Sequence, residues 1–140
     1  MHSEKPAFAA ALVAALLVWS HAEAQQDIRT TAVAEFIDDN VRPWLDEPAI
    51  LNAIIAQNAA HAHLSQAAVD DLDARWRSEL SRAARPMIEA QLSNPLSLYL
   101  KGQQRAAGGL ITEIFVMDNR GLNVGQSDIT SDYWQGDEAK

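Results

Sequence analysis

The spacing of apolar residues changes from a helical to a strand-like period at the glycine pair Gly108-Gly109. Before that pair, apolar residues recur three and four positions apart, and no glycine occurs until Gly102. This period favours a series of amphipathic helices, each with an apolar stripe that packs on its neighbours. The predicted stripes are Val33, Phe36, Ile37, Val41 and Trp44; then Ile50, Leu51, Ile54 and Ile55; then Val69, Leu72, Trp76, Leu80 and Ala83; and finally Leu96, Leu98, Tyr99 and Leu100.

Prolines and polar caps predict where these helices begin. A break is expected near Pro43, and Pro48 suits the first turn of the second helix because its fixed φ matches that of a helix. Ser65 can cap the third helix, and Asn94 followed by Pro95 can start the next. The first two thirds of the chain is therefore predicted to be helical.

A β-hairpin is predicted after the glycine pair. Residues 110–117 are apolar on both alternations and rich in β-branched side chains, as in a strand that is covered on two faces. Residues 118–121 supply a turn in which Gly121 can take a positive φ, and residues 122–127 form the return strand. Beyond it, Asp132 is expected to cap a short final helix.

The N-terminus has the three parts of a secretory signal peptide. Lys5 precedes an unbroken apolar run at residues 7–19, and Ala22 and Ala24 place small side chains for cleavage after Ala24. As a helix the run would rise about 20 Å, which is short of a bilayer core of about 30 Å. We therefore expect residues 1–24 to be removed, and the mature protein to be periplasmic or secreted without a membrane span.

Charge and composition narrow the classes of partner and site. The 140 residues include 19 acidic and 11 basic side chains, a formal net charge of -8. Because this leaves no basic surface for a phosphate backbone, nucleic acid is not expected as a partner. The chain has no cysteine, which excludes a disulfide framework, a thiol nucleophile and a cysteine-ligated metal. No cofactor or catalytic motif occurs, so neither a cofactor nor an enzymatic activity is expected.

A likeness to a known family lies in two adjacent runs, IFVMDNRGLNVGQS at residues 114–127 and TSDYWQGDEAK at residues 130–140. These runs resemble the Cache (PDC, PAS-like) extracytoplasmic sensor domains, especially the small exported proteins with a PDC sensor domain. The resemblance is close over residues 111–140 and extends to residues 25–109 only in architecture. It implies an α+β fold in which N-terminal helices pack on a PAS-like antiparallel sheet. Only a hairpin of that sheet is found within residues 110–140, so the sheet is expected to be incomplete.

What the Cache resemblance implies is a binding function without catalysis. Domains of this family bind small extracellular metabolites, commonly amino acids, carboxylates or amines. The expected role is to bind such a polar metabolite and to pass the liganded state to a membrane-bound signalling partner. The alternative is a periplasmic module for protein–protein interaction that uses its helical stripes or the hairpin edge. Edge pairing of two copies would make it a homodimer.

Six residues are candidates for contact with a metabolite. Tyr133 and Trp134 match the aromatic segment that closes over the pocket in Cache domains, although core packing is the competing interpretation. Asp118 and Asp128 lie in loops where a carboxylate can contact a ligand, although an Asx turn is the commoner role of Asp118. The predicted ligand-binding residues are Tyr133, Trp134, Ser127, Asn123, Asp128 and Asp118.

One face of the return strand motivates two of these candidates. Asn123, Gly125 and Ser127 share this face, which combines small side chains with hydrogen-bonding groups. Such a face suits the wall beside a small polar ligand, and an edge strand in contact with water has the same pattern. Function also concentrates where loops meet a rigid sheet.

Two groups of potential metal ligands are expected to be solvated. His61 and His63 form an H-x-H pair, but residues two apart on a helix do not share a face and no third ligand is evident nearby. Asp70, Asp71 and Asp73 lie in the early turns of the third helix, where the helix dipole favours anions. They lack the glycine and the terminal glutamate of an EF-hand loop. No metal site is therefore predicted.

Overall fold

The computed structural model of the protein describes residues 29–136. The predicted signal peptide at residues 1–24 lies outside the described residues, as do residues 137–140. The chain divides into two units, Met1–Trp44 and Leu45–Lys140.

The described part of the first unit is helical. Residues 29–40 form helix α1, and a turn at Val41 separates it from the short helix α2 (Arg42–Leu45). The predicted break near Pro43 thus falls at Val41, and the proline occupies the second position of α2. A proline is tolerated there because the amide it lacks would have no partner within the helix.

The apolar stripe of α1 is only partly buried. Trp44 is buried, and its indole Nε1 donates to the backbone carbonyl of Asn40. Val33 and Ile37 belong to the same predicted stripe, yet both are exposed.

The described part of the second unit contains four helices with the predicted kinds of start signal. They are α3 (Pro48–Ala60), α4 (Gln66–Leu80), α5 (Pro86–Ser93) and α6 (Pro95–Ala106). Ser65 Oγ accepts the amide of Ala68 at 3.2 Å, and Asn94 Oδ1 accepts the amide of Ser97 at 2.7 Å. Both predicted caps are therefore confirmed. None of the described helices is long and apolar enough to cross a membrane.

Helix α5 has no counterpart among the predicted helices. Its first amides are capped by a residue of another helix, since Met87 and Ile88 donate to Glu79 Oε2 of α4 at 2.9 and 3.1 Å. A buried glutamate thus takes the role that a local N-cap residue usually has. Pro86 at the first position of α5 is a local start signal, whereas the acceptor for the next two amides comes from α4 and is not evident from the local sequence.

The two strands form a short antiparallel hairpin, β1 (Phe115–Met117) and β2 (Asn123–Gln126). The register shifts by one residue within the pair, so β2 has one residue more than β1. Gly121 has a φ of +80° in the connecting turn, as predicted. The first strand is shorter than predicted, because residues 110–114 lie outside β1 and Leu110 is 74% exposed.

A segment after the hairpin extends the sheet by one bridge. Trp134 pairs antiparallel with Leu122, and the amide of Asn123 donates to the carbonyl of Tyr133 at 3.0 Å. The start of β2 is therefore flanked by β1 on one side and by this segment on the other.

The predicted final helix is wrong, since the described residues that follow Asp132 are not helical. The amides of Tyr133 and Trp134 donate instead to Asp73 Oδ1 of α4, at 2.9 and 3.0 Å. Asp73 was expected to be solvated, and it is buried. Asp73 thus accepts amides that would lack a partner within the first turn of a helix, and residues 133–136 form irregular chain.

The core of the second unit joins α4 and α5 to the hairpin and the segment after it. Trp76 is fully buried, and its ring stacks on that of Tyr133 with centroids 5.6 Å apart. The indole Nε1 of Trp76 donates to the carbonyl of Thr130 at 2.9 Å. The buried cluster consists of Val69, Trp76, Ile88, Leu122 and Tyr133. Helices packed on a small antiparallel hairpin confirm the predicted α+β class.

Candidate functional site

Side chains from helices α5 and α6 bind the backbone of β2. The three hydrogen bonds run from Gln91 Nε2 to the Asn123 carbonyl (3.0 Å), from Asn94 Nδ2 to the Val124 carbonyl (3.0 Å), and from the Gln126 amide to Ser97 Oγ (2.9 Å). A strand with backbone groups bonded in this way does not offer them to another strand. Strand β2 therefore has few free backbone groups with which a strand of another molecule could pair.

The two predicted hydrogen-bonding residues, Asn123 and Ser127, are both buried and both bonded within the molecule. Asn123 Nδ2 donates to Gln126 Oε1 at 3.1 Å and to Thr130 Oγ1 at 3.2 Å. Ser127 Oγ accepts the amide of Ile114 at 2.9 Å. Asn123 Oδ1 is the exception, since it is buried and has no hydrogen-bond partner within the described chain.

A helix packs closely against the small residue of the predicted pocket wall. A Cβ atom added to Gly125 would lie 2.5 Å from Leu96 Cγ of α6. Leu96 is itself buried. The small size of Gly125 therefore allows α6 to approach β2, and the space beside it contains a leucine side chain.

The two predicted aromatic residues lie in different surroundings. Tyr133 is in the core, where burial and the Asp118 carboxylate raise its pKa to about 12. Trp134 is half-buried, and its Nε1 donates to the carbonyl of Arg120 in the hairpin turn at 2.8 Å. Both rings therefore help to hold the last described segment against the rest of the second unit.

The two predicted carboxylates also differ. Asp128 is exposed, and its Oδ1 accepts the amide of Ile129 at 2.8 Å. Asp118 is buried at the start of the hairpin turn, where it accepts four hydrogen bonds. The donors are Arg120 N (2.8 Å) and Leu122 N (3.0 Å) to Oδ1, and Gln57 Nε2 (3.0 Å) and His61 Nδ1 (2.6 Å) to Oδ2.

These four bonds keep Asp118 charged. Burial acts to raise the pKa of Asp118, but the hydrogen bonds stabilise the carboxylate and hold the pKa below its usual value. Since a carboxylate only accepts, His61 donates through Nδ1, and in the neutral imidazole Nε2 is left with a lone pair. The His61 side chain is 20% exposed.

The expectation that His61 is solvated is therefore wrong. It lies in the turn after α3 and joins the end of that helix to Asp118 of the hairpin turn. His63 is exposed in the same turn. An imidazole oriented by a buried carboxylate is chemically suited to accept a proton or to ligate a metal ion. Over residues 29–136, however, no group of three ligands that could hold a metal ion is present.

Helix α3 has one face that contacts the hairpin and one that is exposed. Ile50 and Ile54 of the predicted stripe point inward, whereas Leu51 and Ile55 of the same stripe are 43% and 63% exposed. The helix has no charged residue along its thirteen positions. Its outer face, defined by Leu51, Asn52, Ile55, Ala56 and Ala59, is therefore uncharged and largely apolar.

Sequence reasoning missed two features of this region. The pairing of His61 with Asp118 joins residues far apart in the chain, and the only local signal is the one-turn spacing of Gln57 and His61. The outer face of α3 had no local signal, because Ile50, Leu51, Ile54 and Ile55 have the spacing of a single apolar face of a helix.

Comparison of the chain with models of known protein families, with curated proteins and with solved structures finds no match. The resemblance of residues 111–140 to Cache domains accordingly stays a prediction.

Proposed function

We propose that this protein is an exported, non-enzymatic interaction module that binds a helix of a partner protein on the outer face of α3. The observation that carries the proposal is a thirteen-residue helix without a charge that exposes Leu51 and Ile55. The exposed face of a helix normally bears charged or polar residues. An apolar face marks a surface that another molecule covers.

The spacing of the outer face favours a helix as the docked element. Leu51, Ile55 and Ala59 follow one another at four-residue intervals, so they form a ridge along α3. Ala56 beside this ridge is small and lets a second helix approach closely. Fully burying an exposed Leu or Ile side chain contributes about 1.5–3 kcal/mol, so two such residues can anchor a partner.

Export is part of the proposal and rests on the sequence of residues 1–24. Its direct test is the N-terminal residue of the protein recovered from the periplasm or medium of its natural host. Gln25 is expected there, because cleavage is predicted after Ala24. Recovery of the chain in the cytoplasm with Met1 intact would contradict export.

A photo-crosslinking amino acid at position 55, introduced in the natural host, tests the docking surface. We expect crosslinks from position 55 and none from position 74, because Ala74 is exposed on a different helix, α4. The added substitution Leu51→Glu should abolish the crosslinks from position 55. Equal crosslinking from both positions, or none from position 55, would contradict the proposal.

A second candidate function is the binding of a small polar metabolite, with a membrane-bound partner that reads the liganded state. One observation favours it. Asn123 Oδ1 is a buried acceptor without a partner in a segment rich in hydrogen-bonding groups, and such an atom can bind a donor from outside the chain. Amino acids and amines carry suitable N–H donors.

A thermal-shift screen of the protein with amino acids, amines and carboxylates tests this second function. A ligand at 100 times its Kd should stabilise the fold by about 2.7 kcal/mol. The absence of a shift with all three classes, at millimolar concentration, would rule out metabolite binding of useful affinity. The result leaves the test of the α3 surface unaffected, because that test does not depend on a small ligand.

A further inference from the structure

We infer that the helix that docks on α3 is α3 of a second copy, so that the protein forms an antiparallel, two-fold symmetric dimer. This inference rests on the proposed function, since it names the partner for the same surface. In such a dimer one surface meets its own copy, so the surface must be complementary to itself in shape, polarity and charge.

The charge of the chain favours α3 as the place where two copies meet. The full sequence has a formal net charge of -8, and removal of residues 1–24 takes Glu4, Lys5 and Glu23 with it, which leaves -7 for each exported copy. Contact through most surfaces therefore brings like charges together. The exposed positions of α1 and α4 include carboxylates, for example Glu35 and Asp71. Helix α3 contains none. Two copies can therefore bury this face without burying a charge, which would be costly.

The ends of α3 favour the antiparallel orientation. Asp46 and Glu47 are exposed just before the helix, and His63 is exposed just after it. When the helices run in opposite directions, the acidic residues of one copy lie at the opposite end of the pair from those of the other copy. A parallel pair would place acidic residues together and histidines together. Antiparallel helices also bring the positive end of one helix dipole to the negative end of the other.

The size of the face predicts a weak dimer. Thirteen residues make a helix about 20 Å long, and a pair of such helices buries less than the roughly 800 Å² per partner of a standard interface. The monomer and the dimer should therefore exchange, with a Kd that sedimentation can measure.

Sedimentation velocity over a concentration series, with the full chain exported and purified from a bacterial periplasm, tests the dimer. The protein should change from monomer to dimer as concentration rises, and Ile55→Glu should weaken the dimer at least tenfold. Val33→Glu is the matched control, since Val33 is a comparably exposed aliphatic residue of α1 (58%) and its substitution should leave the Kd unchanged. A monomer at every concentration, or an equal effect of Val33→Glu, would overturn the inference.

Disulfide trapping tests the orientation, because the natural chain has no cysteine. Two cysteines join only when their Cα atoms lie within about 7 Å. Ile55→Cys should form a crosslinked dimer on mild oxidation, and a mixture of Leu51→Cys and Ala59→Cys chains should form the mixed disulfide. Self-crosslinking of Leu51→Cys alone would instead indicate a parallel pair and overturn the antiparallel arrangement. Crosslinks from position 55 to a different protein, with a monomer in sedimentation, would reject the dimer and retain the docking surface.

Discussion

Burial in two regions of the molecule is the opposite of what their residue types suggest. The two regions are the segment from β2 to Gly136 and the outer face of α3. The segment is rich in Asn, Gln, Ser and Thr, and these side chains are largely buried and bonded to one another. The face of α3 consists of aliphatic and small residues, and these are exposed. Polar composition therefore does not by itself mark a binding surface, and apolar periodicity does not by itself mark a core.

The physical reason lies in the hydrogen-bonding needs of a short strand. A two-stranded hairpin leaves backbone groups without strand partners, and a buried, unpaired group costs about 1–3 kcal/mol. Here amide and hydroxyl side chains of α5 and α6 provide those partners. Amide and hydroxyl side chains would also contact a polar ligand. Their abundance on β2 therefore fits a ligand-binding wall as well as internal hydrogen bonding, and only the positions of the helices distinguish the two.

The largest expected effect tests whether the segment after the hairpin belongs to the core. Trp76→Ala removes the ring that stacks on Tyr133 and the donor to Thr130. It should lower the free energy of unfolding in urea by about 3–5 kcal/mol. The matched control is Leu98→Ala on α6, where the side chain is exposed and the effect should stay within about 0.5 kcal/mol. A loss below 1 kcal/mol for Trp76→Ala would show that the segment does not depend on this contact.

The buried carboxylate in the hairpin turn should make the stability of the protein depend on pH. Asp118→Asn keeps the shape but removes the charge that accepts four hydrogen bonds, so it should cost about 1.5–3 kcal/mol at pH 7. Because the folded pKa of Asp118 lies below its usual value of 3.8, the wild-type carboxylate contributes stability above that value. This contribution is lost as the pH falls through the folded pKa.

Urea unfolding between pH 7 and pH 2 measures this effect. The stabilities of wild type and Asp118→Asn should converge toward the acidic end. Asp71→Asn, at an exposed position on α4, serves as the control and should leave the gap to wild type constant. If the gap for Asp118→Asn stayed constant as well, the charge of Asp118 would not be what holds the turn.

The sequence predicted the elements better than their environments. The caps at Ser65 and Asn94 and the turn glycine Gly121 are local signals, because each acts within a few residues of the chain, and all three are observed. Glu79 accepts amides at the start of α5, and Asp73 accepts amides of the segment where the final helix was predicted. These contacts join different elements, so no local pattern contains them.

The candidate site shows the same limit. His61 and Asp118 are separated by 57 residues and meet only because the hairpin turn folds onto the end of α3. For Gly125, the sequence predicted a place on the wall beside a small polar ligand or on an edge strand in water, whereas the structure has Leu96 beside it. The exposure of Leu51 and Ile55 was likewise not predictable, because all four aliphatic residues of the α3 stripe fit one face of a helix, and which of them are buried depends on the packed structure.

The contact at Gly125 offers a test in which two glycines should respond in opposite directions. Gly125→Ala places a methyl group against buried Leu96 and should destabilise the protein by about 1–3 kcal/mol. Gly102→Ala, within α6, meets no atom within 4 Å and should stabilise it by up to about 1 kcal/mol, because alanine favours helix. Stabilisation by both substitutions would show open space beside Gly125, as in a pocket wall.

The smallest expected effect on the fold is at Ile55 on the outer face of α3, and the same substitution at Ile50 on the inner face is its matched comparison. Ile50→Ala should cost about 2–5 kcal/mol because Ile50 is buried. Ile55→Ala should change the stability by no more than about 0.5 kcal/mol at low protein concentration. Equal losses at the two positions would show that the outer face is packed within the chain.

Protein concentration then separates a solvent-exposed Ile55 from one that a second copy covers. Association stabilises the folded state by mass action, so the unfolding midpoint of the wild type should rise with concentration if α3 pairs with itself. Ile55→Ala should remove most of that rise while leaving the dilute protein as stable as wild type. Parallel concentration dependence in the two proteins would mean that Ile55 lies outside whatever interface forms, because a residue within the interface must alter the coupling between folding and association.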